Sequence, residues 1–421
     1  MPGGHVLVPL KSGTAISDDG EPLAELDTEQ QATYVANDLI SLVFVDKPGG
    51  EDIEFHSPEY THQLFKDEQF DFVETESEDE DDLQTTVIVR LSDLKHKVVL
   101  PKRKLTEKER AALLQGLQIG LPPDTAFEPF SNKLAEVVDE FAAEVNATHP
   151  TPGTLLHSWV QNSENFELWL TSNKDEGAAD LLARFEKLAL WYIETADSID
   201  FSDDRWQAVF LVKRDKSARA VYCGVYTLFT FRNPFAGSKL RVCTALVLPP
   251  FQGRGLGREI MLAVYRLCRG MPEVAEVTVE DPAPAFERLR DSVDFEWCGS
   301  RCDPSCSSAA ASNNSSAAAA AIAKEVKLTV PQVTFVLDAY KYSQLSRRLR
   351  AAGQEGEGRN EDEQNDAEDA LTAFRLSVKR RLLSAHGDLR ELPKEEMQKE
   401  LELLWEEEKK RLQRVARKAK A

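Results

Sequence analysis

The sequence predicts an α+β protein: a β-containing amino-terminal domain, a core with a mixed twisted sheet, and a small helical region towards the carboxyl end. Three observations carry this. Residues 220–231 and 241–248 are rich in Val, Leu, Phe and Tyr and flank Gly237, which reads as an antiparallel strand pair. Residues 179–196 place Leu181, Leu182, Phe185, Leu188, Trp191 and Ile193 on a wide apolar stripe at helical spacing. Residues 245–280 run from an apolar strand through a glycine turn into an amphipathic helix and on to another strand.

The elements follow in order. Residues 1–35 are polar and acidic and predict a flexible amino terminus. Residues 41–45 and 85–91 have β-branched and aromatic character and predict strands on either side of a solvated acidic loop at 74–82. Thr106 and Glu109 form a capping-box pattern, so a helix should start there and stop by Gly120. Pro150-Thr-Pro-Gly153 marks a boundary, giving a domain at 36–150 and a second at 151–296. Within the second, strands are expected at 207–212, 220–231, 241–248 and 275–280, with helices at 258–269 and 282–291. A helical region at 297–350 carries a Ser/Ala-rich insertion at 302–323, read as a linker. Residues 351–421 read as an acidic linker followed by a charged helix whose one apolar edge (Met397, Leu401, Leu404, Leu412, Val415) suits a partner better than a core. Its basic end, 409–420, fits either a nuclear-import patch or the ordinary preference of helix C-termini for cations.

Charge narrows the function classes. The 421 residues carry 51 Lys+Arg against 72 Asp+Glu, a net charge of −21, and residues 1–100 alone hold 23 acidic and 6 basic side chains. A general nucleic-acid binder needs a basic footprint, so direct nucleic-acid binding is not expected. A basic partner is permitted, as is solubility alone. No apolar run approaches the ~18 residues of a membrane span, and no membrane association or secretory leader is expected. The six cysteines, without a CxxC pair, suit a reducing compartment. Cys298, Cys302 and Cys306 recur every four residues but lack the spacing of a zinc knuckle, so no metal is expected.

The chemistry-bearing stretch is Ala245-Leu-Val-Leu-Pro-Pro-Phe-Gln-Gly-Arg-Gly-Leu-Gly-Arg258. Three glycines let a ligand approach the backbone, and a helix opening directly after them offers unpaired N–H groups to an anion such as a pyrophosphate. Arg258 breaks the Rossmann spacing, and the G-K-[ST] ending of a P-loop is absent. The spacing Gln252-x-x-Gly255-x-Gly257 instead resembles the acetyl-CoA loop of the GNAT N-acetyltransferase superfamily. Three further blocks resemble the type B histone acetyltransferase catalytic subunits. They are Phe55-His56 with Pro58-Glu59 and 61–65; Trp191-Tyr-Ile-Glu-Thr-Ala196 with Ile199-Asp200 and Arg205-Trp206; and Val277-Thr-Val-Glu-Asp-Pro282 with Ala285-Phe286 and 289–291. The resemblance covers roughly residues 35–345.

The resemblance implies a GNAT core with acetyl-CoA held by Ala245, Leu246 and Val247 and by Gln252, Gly253, Arg254, Gly255, Leu256, Gly257 and Arg258. It assigns Glu280 as general base, with Asp281 and Glu194 in support. A lysine ammonium must lose a proton before it attacks a thioester, and a carboxylate at a strand end beside a ligand cleft can take it. The same two acids at 280–281 would also serve as caps for the following helix. Substrate contact is implied at Asp67, Glu68 and Gln69 and at Phe229, Thr230 and Phe231. Tyrosines are usual in the family at the second place, and Phe229 and Phe231 also read as core-packing residues. With no His near the motif, direct transfer is expected rather than an acetyl-cysteine route. The resemblance further implies free, newly made histone H4 as substrate, a WD-repeat β-propeller histone-binding subunit as partner, and a location in nucleus and cytoplasm. Two other readings stay open: a GNAT enzyme for a small amine, and a non-catalytic histone-chaperone scaffold.

Overall fold

A computed structural model describes residues 31–49, 52–66, 69–73, 80–144, 150–303, 315–352 and 361–418. In chain order the elements are β1 (Gln31–Val35), α1 (Ala36–Leu39), β2 (Ile40–Val45), β3 (Phe55–His56), β4 (Gln69–Val73), β5 (Thr85–Arg90), β6 (Lys95–Val99), α2 (Glu107–Gly120), β7 (Ala126–Glu128) and α3 (Leu134–Ala143). They continue with β8 (Thr154–Gln161), β9 (Glu164–Thr171), α4 (Ala178–Tyr192), β10 (Trp206–Arg214), β11 (Ala220–Phe231), β12 (Ser238–Val247), α5 (Leu256–Arg269), β13 (Val274–Val279) and α6 (Pro284–Cys298). Four helices close the described chain: α7 (Ser315–Val326), α8 (Val330–Ala352), α9 (Glu361–Ala385) and α10 (Lys394–Lys418).

The amino-terminal part is a five-stranded sheet in the order β3-β2-β5-β6-β7, with β1 and β4 paired beside it. β2 runs parallel to β5, so the link between them must cross over. The α2 helix forms where its capping box predicts: the Thr106 hydroxyl accepts from the Glu109 N–H at 3.3 Å and the Glu109 carboxylate accepts from the Thr106 N–H at 2.7 Å.

The second sheet has six strands in sequence order, β8 to β13. Every neighbouring pair is antiparallel except β12 and β13, which are parallel and joined through α5. The β8–β9 hairpin was not read from the sequence. Its turn is Asn162-Ser163, both at positive φ, a two-residue connection of the kind that favours Asn and matches strand twist. α4 packs its apolar stripe on this sheet, with Phe185, Leu188 and Trp191 buried.

One core spans both sheets, because Trp191 ties them. Its indole N–H donates to the Gly120 carbonyl at 2.9 Å, and its own carbonyl accepts from the N–H groups of Glu59 and Tyr60 at 2.8 and 3.1 Å. A Cβ on Gly120 would stand 2.9 Å from that indole, so this close approach of the α2 terminus to Trp191 needs a glycine.

The carboxyl-terminal third departs from the sequence reading. The alanine-rich run expected as linker within 302–323 holds α7 from Ser315, with Ala319, Ile322 and Ala323 buried against the core. Alanine is the strongest helix former, and its small side chain lets the helix pack closely. Residues 361–369, expected as acidic linker, are the first turns of α9. The charged segment expected as one partner-binding helix is broken at Gly387–Glu391 into α9 and α10, and α10 folds back on the chain. Trp405, Leu412 and Val415 are buried, and Arg411 makes a two-pronged pair with Asp291 of α6 at 2.5 and 2.6 Å. The apolar edge is therefore occupied from within. No helix among the described residues is long and apolar enough to cross a membrane.

Candidate functional site

The site grows out of the one parallel pair. β13 pairs with β12 only from Ser238 to Val242, and the Glu280 N–H closes the ladder on the Val242 carbonyl at 2.9 Å. On its other side β12 pairs with β11, but the register slips so that Thr227 faces both Cys243 and Thr244. The Thr244 N–H bonds the Thr227 hydroxyl at 2.9 Å. Such a bulge bends and twists its strand. Beyond it, residues 245–247 continue with β11 on one side and, among the described residues, pair with no strand on the other. Ala245, Leu246 and Val247 thus form a short sheet edge inside the protein, open to an extended ligand that adds as a strand would.

The glycine turn closes the end of this edge. Gly253 and Gly255 have φ of +70° and +77°, and a Cβ on either would point into open space, so these two glycines serve backbone shape rather than packing. Gly255 leads into α5, whose first N–H groups lack partners from a preceding turn. Gly257 serves differently: its Cβ would lie 3.0 Å from Leu289 of α6 and 3.2 Å from the Tyr226 hydroxyl. The Gln252 amide donates to the Val247 carbonyl at 2.9 Å, tying turn to strand. The Gln161 amide holds the Arg254 carbonyl at 2.7 Å. Both nearby guanidinium groups are already engaged, Arg254 with Glu164 and Arg258 with Glu259 and Glu296. An anion at this turn therefore meets backbone N–H groups before free side-chain charge.

Opposite the edge, β13 delivers the acids. Glu280 is half exposed and pairs with Arg241 of β12, Oε1 to Nη1 at 3.1 Å. Asp281 is exposed and sits at φ +29°, a backbone region that Asp tolerates better than most residues. The capping alternative does not hold: α6 is capped at Ala283 with no side-chain hydrogen bond. Glu194 is not on a helix as expected. α4 ends at Tyr192, and Glu194 is exposed in the turn beyond it. The Gln63 amide grips that turn at the carbonyls of Glu194 and Ala196, at 3.0 and 3.1 Å. Glu186 of α4 accepts the Ile199 N–H at 3.0 Å, and burial holds its carboxyl above the usual range. Among the described residues no hydrogen bond or ion pair links Glu194 to Glu280 or Asp281.

Aromatic side chains line the neighbouring surface. Phe229 contacts Phe231 and Trp206, each with ring centroids 4.7 Å apart, and the guanidinium groups of Arg205 and Arg241 lie over Phe229 and Phe231 at 4.8 and 4.4 Å. Phe231 is 40% exposed and Phe229 half-buried, so these rings form surface and not the core packing that was the other reading. The Thr230 N–H donates to the Arg205 carbonyl at 3.0 Å. Gln69 is exposed on β4, while Asp67 and Glu68 lie outside the described residues, as does Cys306. Cys298 and Cys302 are buried with their thiols against each other. Among the described residues, no group of three or more His, Cys, Asp or Glu side chains is placed to share an ion. A cavity of about 240 Å³ between α8 and α10 shares no residue with this site.

Sequence reasoning missed Arg241 and Gln161. Arg241 was legible in principle as the basic residue that an antiparallel pairing sets across from Phe229. Gln161 was not, because the β8–β9 hairpin that carries it was missed.

The strand edge, the glycine turn and the Glu280 carboxylate thus lie together around the β12–β13 pair. Residues 32–194 match the family model described as "Histone acetyl transferase HAT1 N-terminus". Proteins named histone acetyltransferase type B catalytic subunit are similar to this chain in Aspergillus fumigatus (26% identity, 62% of this chain and 51% of that protein), in Mus musculus (27%, 59% and 60%) and in Homo sapiens (28%, 56% and 54%). The similarity to type B histone acetyltransferase catalytic subunits is thus found across separate eukaryotes, and the matched stretch spans about half to three fifths of these relatives' length.

Proposed function

We propose that this chain is a histone lysine N-acetyltransferase with a GNAT core, which moves acetyl from acetyl-CoA to lysine ε-amines in the tail of free, newly made histone H4. The carrying observation is the open edge at residues 245–247 between the glycine turn and Glu280, in a chain similar to named histone acetyltransferases. The glycine cradle fits a pyrophosphate-bearing arm: Gly253 and Gly255 leave room where side chains would stand, and α5 presents its N-terminus.

On this reading bound acetyl-CoA supplies the activated thioester. Residues 245–247 and 252–258 hold it through backbone groups. Glu280 takes the proton from the lysine ammonium so that the free amine attacks the thioester carbonyl, with Asp281 and Glu194 adding negative charge that attracts a cationic chain. N–H groups of the open edge are candidates to stabilise the developing oxyanion. The Cys243 thiol supports direct transfer: burial, reinforced by Glu280 beside it, pushes it up to about 12, so it stays protonated near neutral pH and is a poor nucleophile. Phe229, Thr230 and Phe231 form one wall of the acceptor groove and Gln69, with Asp67 and Glu68, another contact.

The proposal divides the chain into a substrate-contact domain at 36–150, an acetyl-CoA-binding catalytic domain at 151–296 and a helical region beyond. It places the protein in nucleus and cytoplasm with a WD-repeat β-propeller partner and needs no metal. Competition between an H4 tail peptide and spermine for labelled acetyl-CoA tests the substrate class. The peptide should suppress spermine acetylation; preference for spermine would move the enzyme to small amines, and absence of CoA binding would favour the scaffold reading.

A further inference from the structure

Resting on that acetyl-transfer reading, we infer that Arg241 is a positioning residue of the site, which sets the direction of the Glu280 carboxylate. Four observations converge on it. Its Nη1 holds one carboxylate oxygen of Glu280 at 3.1 Å. Its guanidinium lies 4.4 Å over the Phe231 ring, which contacts Phe229 in turn. Among the described residues its Nε–H, shielded from solvent, finds no acceptor, and the shielded hydroxyl of Thr278, its register partner on β13, finds no hydrogen-bond partner. The Cys243 thiol, two residues along β12, lies against the same Glu280 carboxylate.

Stability does not explain this arrangement. The pair is 35% and 50% exposed, and exposed pairs contribute little to stability. A shielded donor without an acceptor has a cost of its own, which offsets that gain. Departures of this kind are expected where placement of a group is what matters. A guanidinium is a rigid planar fork, and stacking on Phe231 fixes its plane, so it can fix the orientation of a carboxylate in a way that a lysine ammonium cannot. Glu280 follows the last residue of β13 and precedes the left-handed Asp281, so the ladder does little to constrain its side chain. Arg241 supplies the missing constraint. It comes from the strand that carries the open edge, and so links the direction of the base to the place where the thioester is held.

The test is steady-state transfer from acetyl-CoA to a synthetic H4 tail peptide by the full chain. It compares wild type, Glu280→Gln, Arg241→Gln, Arg241→Lys, Phe231→Leu and the double variant Arg241→Gln/Glu280→Gln. Melting temperatures control for folding. A misdirected catalytic group loses on the order of 10- to 100-fold. Arg241→Gln should therefore lower kcat by about that factor with KM for acetyl-CoA little changed. Arg241→Lys should recover only part, and Phe231→Leu should show a smaller loss of the same kind. The double variant should be no slower than Glu280→Gln alone, because Arg241 acts through Glu280. Full activity in Arg241→Gln beside a dead Glu280→Gln would overturn this inference and leave the acetyl-transfer reading standing. Independent, multiplying losses would overturn it too. Full activity in Glu280→Gln would remove the base assignment and this inference together.

Discussion

Glu280 gains its setting from two neighbouring strands and not from burial. Its side chain is half exposed, held by Arg241 and flanked by the Cys243 thiol. The strand-end position was legible, because β13 ends one residue before the acid. Arg241 was legible only as the residue across from Phe229; its approach to Glu280 was not, since that depends on the register of β12 against β13. A different residue registers pH. His96 is fully buried, and burial lowers it to about 4. The unfolded chain takes a proton near pH 6.5 while the fold resists it, so stability falls as pH drops from about 6.5 to 4, by about 1.4 kcal/mol per unit. His96→Leu should abolish that part of the loss, on the order of 3 kcal/mol at pH 4, in urea titrations run at pH 7 and pH 4. Parallel curves for the two proteins would contradict it. Asp294 acts with the opposite sign. Burial raises it to about 6, so its ionisation costs stability as pH rises from about 4 to 6, which makes the difference between variants the useful quantity.

Elements were legible where they carry local punctuation. The capping box starts α2 at Glu107, and the glycine turn opens α5 at Leu256, two residues before the sequence placed it. Thr106→Ala should cost about 1 kcal/mol, seen as a lower thermal midpoint, while Thr106→Ser should be nearly neutral. The turn has two kinds of glycine, and substitution should separate them. Gly257→Val must displace Leu289 and the Tyr226 hydroxyl, so it should lower both stability and CoA binding. Gly255→Val places its Cβ in open space but must hold a strained φ near +77°, so its loss of stability should come from strain without a clash and be smaller than that of Gly257→Val, with the larger effect on CoA affinity measured by calorimetry. Equal effects of the two on melting and on affinity would refute this division. Elements without punctuation were missed. β7 depends on a partner about 30 residues back along the chain, β6 and the β8–β9 hairpin pair locally through turns without glycine or proline, and α7 looked like low-complexity linker because alanine patterns carry no amphipathic signal.

At the scale of the whole molecule, the tail closes on the site's support. α6 leaves the acids at 280–281, touches the glycine turn through Leu289, and is pinned by Arg411 of α10 through Asp291. The single apolar edge of α10 was legible; what it packs against was not, because a helix with one apolar stripe reads alike whether its partner is its own chain or another. Leu412 is fully buried, so Leu412→Ala should destabilise the fold by about 2–5 kcal/mol in denaturant titrations; a neutral result would mean that α10 does not dock in solution. The blocks at 55–65 and 191–206, far apart in sequence, meet where Gln63 holds the Glu194 turn; Trp206 then reaches Phe229, and Leu289 of the third block reaches Gly257 of the glycine turn. The most direct measurement of the central claim is transfer of labelled acetyl from acetyl-CoA to a free H4 tail peptide by wild type and Glu280→Gln side by side. The account predicts transfer to lysine by wild type and a fall of about 10²–10⁴-fold in the variant at neutral pH, with CoA still bound. Tight CoA binding without transfer by wild type, or undiminished transfer by Glu280→Gln, would contradict it.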